Sequence, residues 1–266
     1  KIGAGFAYGA LAAGADIMIA EAILNAGGEL HIVIPTIPSV FKAQSVAPYG
    51  DAWIDRFDSL WEQASSVETI DSGKQLSHAA IIVAAQVAKG RAIDNAQRLE
   101  SSHLPFEVSD GSLSRISPST PALVVARSAK TAPGDDIPPG SCHFCIATDS
   151  PVVSDAVQWE RVGDCYISRS VQAADAIPSM KALLSAAPDA RIAFDITVSD
   201  DDSAPHAIVD NLNRLVQSAS NGGAVATASA AMMIKAQDPD IRLEPLGELP
   251  GSSGAAGVYA IGPTSN

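Results

Sequence analysis

The residues with the plainest chemical potential stand at the start of the chain. Gly3-Ala-Gly5-Phe-Ala-Tyr-Gly9 is a glycine-rich stretch, and Gly14-Ala-Asp16 follows it at a helix start. Such a loop can turn its amides, and the first turn of the next helix, towards an anion. A dinucleotide fingerprint needs a strand before the glycines, a helix starting at them and an acidic residue after the second strand. Only Lys1 and Ile2 precede Gly3, and the helix starts late. The second strand ends Ile32-Val-Ile-Pro35-Thr36, with no carboxylate, so the stretch is not read as an NAD site. Two further acids stand where strands meet turns: Asp149 after Phe144-Cys-Ile-Ala-Thr, and Asp164 in Val162-Gly163-Asp164. Aspartates in such places are also ordinary turn formers. Cys142-His-Phe-Cys145 has C-x-x-C spacing, but it lies in an apolar strand run without a second ligand pair, which favours a structural role. His31, His78, His103, His143 and His206 show no metal spacing, and no G-x-S-x-G nucleophile elbow occurs. Lys89, Arg91 and Arg98 make a small basic helix face that reads as solvated.

These residues must be held by a packed scaffold. The chain is 266 residues long, 47% hydrophobic and only 5% aromatic, so its core is built from Ala, Val, Ile and Leu. A net charge of -13 repels polyanions, which argues against nucleic acid and anionic membranes as partners. No apolar run has the length of a membrane span and no signal peptide is seen, so a cytoplasmic protein is expected. The chain starts without Met, inside a motif, and reads as one that has lost its first residues and its first strand.

A helix is expected from Gly14-Ala-Asp16 to Gly27-Gly28, with Ile17, Ala20 and Leu24 on one face. Leu30 to Ile34 reads as a buried parallel strand, 36–50 as a loop, Asp51 to Ala64 as a helix, Ser66 to Ile70 as a strand and Ser77 to Leu99 as a long helix. Strand candidates at Leu104 to Val108 and Ala122 to Ala126 complete an alternation typical of an α/β layer fold with a mostly parallel sheet. The Pro, Gly and Asp of 129–140 are linker chemistry, dividing domains 1–128 and 141–266. Beyond it, strands at His143 to Ala147, Cys165 to Ser168, Arg191 to Val198, Ala224 to Thr227, Ile241 to Leu246 and Gly257 to Ile261 are expected. Helices at Ala173 to Ala186, Ala207 to Ala219 and Ala228 to Gln237 separate them, giving an α+β domain.

Gly9-Ala-Leu-Ala-Ala-Gly14-Ala-Asp16, then Ala20-Glu21, then Gly27-Gly28-Glu-Leu-His-Ile-Val-Ile-Pro35, resembles the SLOG superfamily of Rossmann-like modules, here over residues 3–126. Phe41, Ser45-Val46-Ala-Pro48 and Trp53-Ile-Asp-Arg56-Phe57 suit the same pattern, which is closest to modules that precede class III cyclase domains in bacterial proteins. The P-G-G-x-G-T-x-x-E motif of the phosphoribohydrolase branch is not present. The resemblance therefore implies a sensor of a nucleotide-like ligand held at Gly9, Gly14 and Asp16. The alternative is a tight turn, with Asp16 as a helix cap.

Residues 141–262 resemble a class III nucleotidyl cyclase domain through several short motifs in the right order: Phe144 to Asp149, Gly163-Asp164, Ala190-Arg-Ile-Ala-Phe194, Val209-Asp210-Asn-Leu-Asn-Arg214-Leu215, Gly222-Gly223-Ala-Val225 and Gly257-Val258-Tyr259. The resemblance implies Asp149 and Asp164 as ligands for Mg2+ or Mn2+, Arg214 as the transition-state cation and a homodimer. The departures are substantial. Ser150-Pro-Val-Val-Ser154 replaces the Gly-Phe after the first Asp, and the helix pair between the two Asps is missing. Asp210 stands where the ribose-orienting Asn belongs at the nucleotide, and Asp195-Ile-Thr and Asp200-Asp201-Asp202 replace the H-x-G.

The expected protein is thus a two-domain cytoplasmic bacterial signalling molecule, a nucleotide sensor joined to a degenerate cyclase-homology domain. Its alternatives are an active divergent cyclase making a cyclic nucleotide from ATP or GTP, and a non-catalytic dimerisation module.

Overall fold

The computed structural model describes residues 3–70, 75–109, 123–126, 137–150, 159–171, 173–199, 206–248 and 257–262. The acidic run at 200–202, most of the linker, the loop around Gly111-Ser112 and residues 151–154 of the segment after Asp149 lie outside them. The fold is mixed α/β, with a three-stranded parallel sheet, a two-stranded parallel pair and a seven-stranded mixed sheet among the described residues. The chain forms two compact units, Lys1–Leu76 with Arg91–Pro138 and Ser77–Gly90 with Pro139–Asn266. The division falls at Pro138, near the proline-rich stretch, but the second unit also takes Ser77–Gly90, which a division by linker composition does not foresee.

In the first unit β1 (Phe6–Gly9), β2 (Glu29–Ile34) and β3 (Ser66–Thr69) form a parallel sheet in that order, with Tyr8 beside His31 and Ile32 beside Val67. The order β1, α1 (Ala15–Asn25), β2, with β1 and β2 parallel neighbours, is a βαβ crossover unit. Leu30, Ile32 and Ile34 of β2 pack with Ile17 and Ala20 of α1 and with Phe57 and Leu60 of α3 (Asp51–Gln63). The stretch expected as a glycine-rich loop is in part the strand β1, so a strand does stand directly ahead of α1. Four residues, half of them Gly or Ala and largely half-buried, are too short to show an alternation. The expected loop 36–50 is likewise mostly helical: α2 (Pro38–Ser45) starts with proline in its first turn, and a 3-10 turn spans Ala47–Tyr49. A small parallel pair, β4 (Phe106–Ser109) and β5 (Leu123–Ala126), stands where two strands are expected.

The helix α4 (His78–Arg98) supplies its first part to the second unit. There a seven-stranded sheet runs β11-β12-β10-β9-β6-β8-β7. Its members are β6 (Ser141–Thr148), β7 (Glu160–Val162), β8 (Cys165–Val171), β9 (Ile192–Ser199), β10 (Ala224–Thr227), β11 (Arg242–Glu248) and β12 (Gly257–Gly262). The interior strand β6 is antiparallel to both β8 and β9, and β9 is parallel to β10. β7 was not foreseen as a separate strand; three residues at a sheet edge leave no period to read.

One face of this sheet, from Cys145, Ala147, Ala193 and Val225, is covered by the apolar stripe Val209, Leu212, Val216 of α6 (His206–Ser218). The alternate residues Phe144, Ile146, Ile192 and Phe194 are also buried, with the Phe144 and Phe194 rings 5.9 Å apart, so the sheet is covered on both faces. The helices α5 (Ala176–Ala186) and α7 (Ala228–Gln237) complete the unit. α7 is buried from Ala230 to Ala236, including Lys235, whose Nζ donates to the Ile241 carbonyl at 2.6 Å. Gly90 of α4 lies on the backbone of α7: a Cβ there would run into the Met232 carbonyl.

Candidate functional site

Asp149 follows β6 directly, and the Gly163-Asp164 turn joins β7 to β8. Gly163 takes φ 62, a conformation that glycine adopts without strain. The β6–β8 register pairs Ala147 with Ile167 and Thr148 with Tyr166, so the next step sets Asp149 opposite Cys165, with Asp164 one residue beyond. Electrostatics agrees with that placement. Burial raises the pKa of the Cys165 thiol, both carboxylates raise it further, and only Arg191 opposes them. The two aspartates singled out in the sequence therefore share one end of the sheet.

Asp149 already has a partner. Its Oδ1 accepts the Arg191 backbone N–H at 2.9 Å and its Oδ2 accepts Arg191 Nε–H at 2.7 Å. Burial pushes this carboxyl up, but the two Arg191 hydrogen bonds and the guanidinium charge outweigh it, so its pKa is lowered. Asp164 is exposed at the turn. Among the described residues no three His, Cys, Asp or Glu side chains are grouped to hold a metal ion. A divalent ion at this end of the sheet would compete with Arg191 for both oxygens of Asp149.

Arg214 lies on the exposed side of α6. Its Nη2 donates to Asn211 Oδ1 at 3.0 Å and its Nε to the Asp210 carbonyl at 3.3 Å. The Asp210 side chain is exposed on the same helix. Asp195, noted in the sequence only as a departure, is the buried acid of this unit. It is 5% exposed and accepts from Thr227 Oγ1 at 2.7 Å, from Ile196 N–H at 2.8 Å and from Asn211 Nδ2 at 3.5 Å. Burial pushes its pKa up to about 6. Arg191 and Asp195 could not be paired with their partners from the sequence, because those partners stand on other strands and helices. The C-x-x-C pair is split by the strand: Cys145 is buried and Cys142 exposed, since residues three apart on a strand face opposite sides.

In the first unit Gly9 ends β1, and Gly14, at φ 108, sits at the N-cap of α1. Asp16 lies in the first turn, where the helix dipole favours an acid. Its Oδ2 accepts the Ala12 N–H at 3.2 Å, so the carboxylate closes the turn between β1 and α1. Burial pushes it up to about 6, with the Ala12 N–H opposing. Glu21 and Arg56 of the expected motif pair at 2.7 and 2.6 Å, and Arg56 stacks 4.2 Å from the Trp53 ring centre. On the other sheet face His31 stacks on Tyr8 at 4.6 Å and meets Ser66 Oγ through Nδ1 at 2.8 Å.

No protein-family model and no curated protein matches the chain. Among solved structures, the adenylyl cyclase CyaB from P. aeruginosa is similar over 48% of this chain and 97% of its own, at 13% identity and a TM-score of 0.33.

Proposed function

We infer that the chain is a nucleotide-signalling protein whose second unit is a cyclase-type domain that does not catalyse. The observation that carries this reading is the Asp149–Arg191 pair. An acid at the end of β6, beside a Gly-Asp hairpin, is where the cyclase resemblance calls for a metal ligand, and here both of its oxygens are taken by one arginine. A divalent cation would have to displace a charge-assisted pair and would leave the guanidinium without its carboxylate. The first unit would sense a nucleotide-derived ligand at the turn formed by Gly9, Gly14 and Asp16, a SLOG-like role. The second would form a homodimer.

A second reading has one observation in its favour: Asp149 and Asp164 both act on the Cys165 thiol, so they share one end of the sheet. That reading is an active cyclase dependent on Mg2+ or Mn2+, in which Arg191 lets go of Asp149. Incubation of the full chain with ATP or GTP and Mn2+ separates the two. The non-catalytic reading expects no cyclic nucleotide, and cyclic product lost on Asp164→Ala would establish the other. The sensor role is tested by thermal shift with a panel of nucleotides. Stabilisation that disappears on substitution of Gly14 supports it, and no stabilisation by any nucleotide sinks it.

A further inference from the structure

Asp195 is held by elements that are far apart in sequence, and its two oxygens are used differently. Oδ1 accepts two short hydrogen bonds, from Thr227 of β10 and from the Ile196 amide. Oδ2 faces the Asn211 amide nitrogen of α6 at 3.5 Å. The Asn211 carbonyl oxygen, in turn, accepts Arg214 Nη2 at 3.0 Å. Three side chains therefore form a relay from the sheet to the exposed face of α6: Asp195, Asn211, Arg214.

The polarity of this relay is fixed by the charge on Asp195. With a carboxylate, Asn211 must present its NH2 to Oδ2, which leaves its oxygen for Arg214. A proton arriving on Asp195 has to sit on Oδ2, because Oδ1 already meets two donors. Oδ2–H then faces an NH2 group, two donors with no acceptor between them. Rotation of the Asn211 amide by half a turn restores a bond, Oδ2–H to the Asn211 oxygen, and turns the NH2 towards Arg214, which is itself only a donor. We propose that Asp195 and Asn211 form a proton-operated latch: protonation of Asp195 flips the Asn211 amide and detaches the Arg214 guanidinium from it.

The surroundings suit such a device. Ala193, Leu212 and Val225, one or two residues along the chain from Asp195, Asn211 and Thr227, belong to the buried apolar core of this unit. From β6 the residue in register is Cys145, whose thiol burial pushes up to about 12, with Asp195 raising it further, so it stays neutral. From β8 Arg169 bears on Cys145 and opposes that rise. From β10 comes Thr227, and from α6 come Asn211 and, on its exposed side, Asp210 and Arg214. In α7 the buried cation Lys235 is turned to the Ile241 carbonyl. Burial brings the Asp195 titration to about 6, within reach of ordinary pH changes.

The test is NMR of the 15N-labelled full chain between pH 5 and pH 8. The Asn211 side-chain amide and Arg214 Nε–H resonances are expected to titrate together, with one midpoint near the Asp195 value. In Asp195→Asn the new amide donates permanently to the Asn211 oxygen, so the Arg214 signal should stay at its wild-type low-pH position. Asp16→Asn, in the other unit, should leave the titration unchanged. Should Asp195→Asn fail to fold, Asn211→Ala serves instead: Asp195 still titrates while the Arg214 signal becomes flat. The latch is overturned by flat Asn211 and Arg214 signals in folded wild type, by Arg214 titrating in Asn211→Ala, or by loss of the titration in Asp16→Asn.

Discussion

Charged side chains in this protein are fixed by what they are paired with, and three aspartates show it with opposite signs. Asp149 has a lowered pKa, so it stabilises the fold above the unfolded value near 4 and loses that contribution as pH falls through its own lower value. Asp16 and Asp195 are pushed up to about 6. Their contribution is fully present below pH 4 and is lost as pH rises from about 4 to 6. For Asp195 the full loss is on the order of 3 kcal/mol. Asp195→Asn is therefore expected to flatten the stability curve of the second unit between pH 4 and 7, which urea unfolding at a series of pH values checks. An unchanged slope would remove Asp195 as its source. Arg191→Ala removes the guanidinium from Asp149 Oδ2 and leaves the partly buried carboxylate only the backbone N–H at position 191. A loss of about 1 kcal/mol is expected, since the pair is a quarter to a third exposed, together with a rise in the Asp149 pKa measured by carboxyl 13C shifts.

At the scale of elements, the crossing of α4 and α7 decides a substitution that propensity alone would get wrong. Glycine within a helix costs up to about 1 kcal/mol relative to alanine, so Gly90→Ala would be stabilising on an isolated helix. Here the added methyl would strike the Met232 backbone, which cannot swing away as a side chain could. Overpacking costs of roughly 1–3 kcal/mol then win, and a net destabilisation is expected in thermal unfolding. Leu212, fully buried between α6 and the sheet, should cost roughly 2–5 kcal/mol as Leu212→Ala. Several elements were legible in the sequence, the amphipathic helix α3 and the buried pair β10 and α7 among them. Asp51 to Ala64 and Ser77 to Leu99 differ from α3 and α4 by a residue at the ends, and Ala224 to Thr227 and Ala228 to Gln237 coincide with β10 and α7. The edge strands β1 and β7, of four and three residues, were missed because so few residues show no period, whereas the equally short edge strand β3 was foreseen. α2 was hidden by the proline at its start, which signals both a loop and a first helical turn. In the candidate site the positions of Asp149 and Asp164 at one sheet end were legible from strand and hairpin order. The Arg191 that occupies Asp149 was not, because pairing across neighbouring strands is set by register.

For the whole molecule, two compact units share one chain, and α4 contributes to both. No described helix is long and apolar enough to cross a membrane. The proposal assigns ligand sensing to the first unit and a non-catalytic, dimer-forming role to the second. Sedimentation of the full chain should give twice the 27.3 kDa of one copy, and a monomer at micromolar concentration would remove the dimer from the account. The central claim is that the acid at the end of β6 serves Arg191 and not a metal. Its most direct test is the incubation of the full chain with ATP or GTP and Mn2+, followed by analysis for cyclic nucleotides. The account predicts none above a protein-free control; cyclic product that disappears on Asp149→Asn and on Asp164→Ala would contradict it.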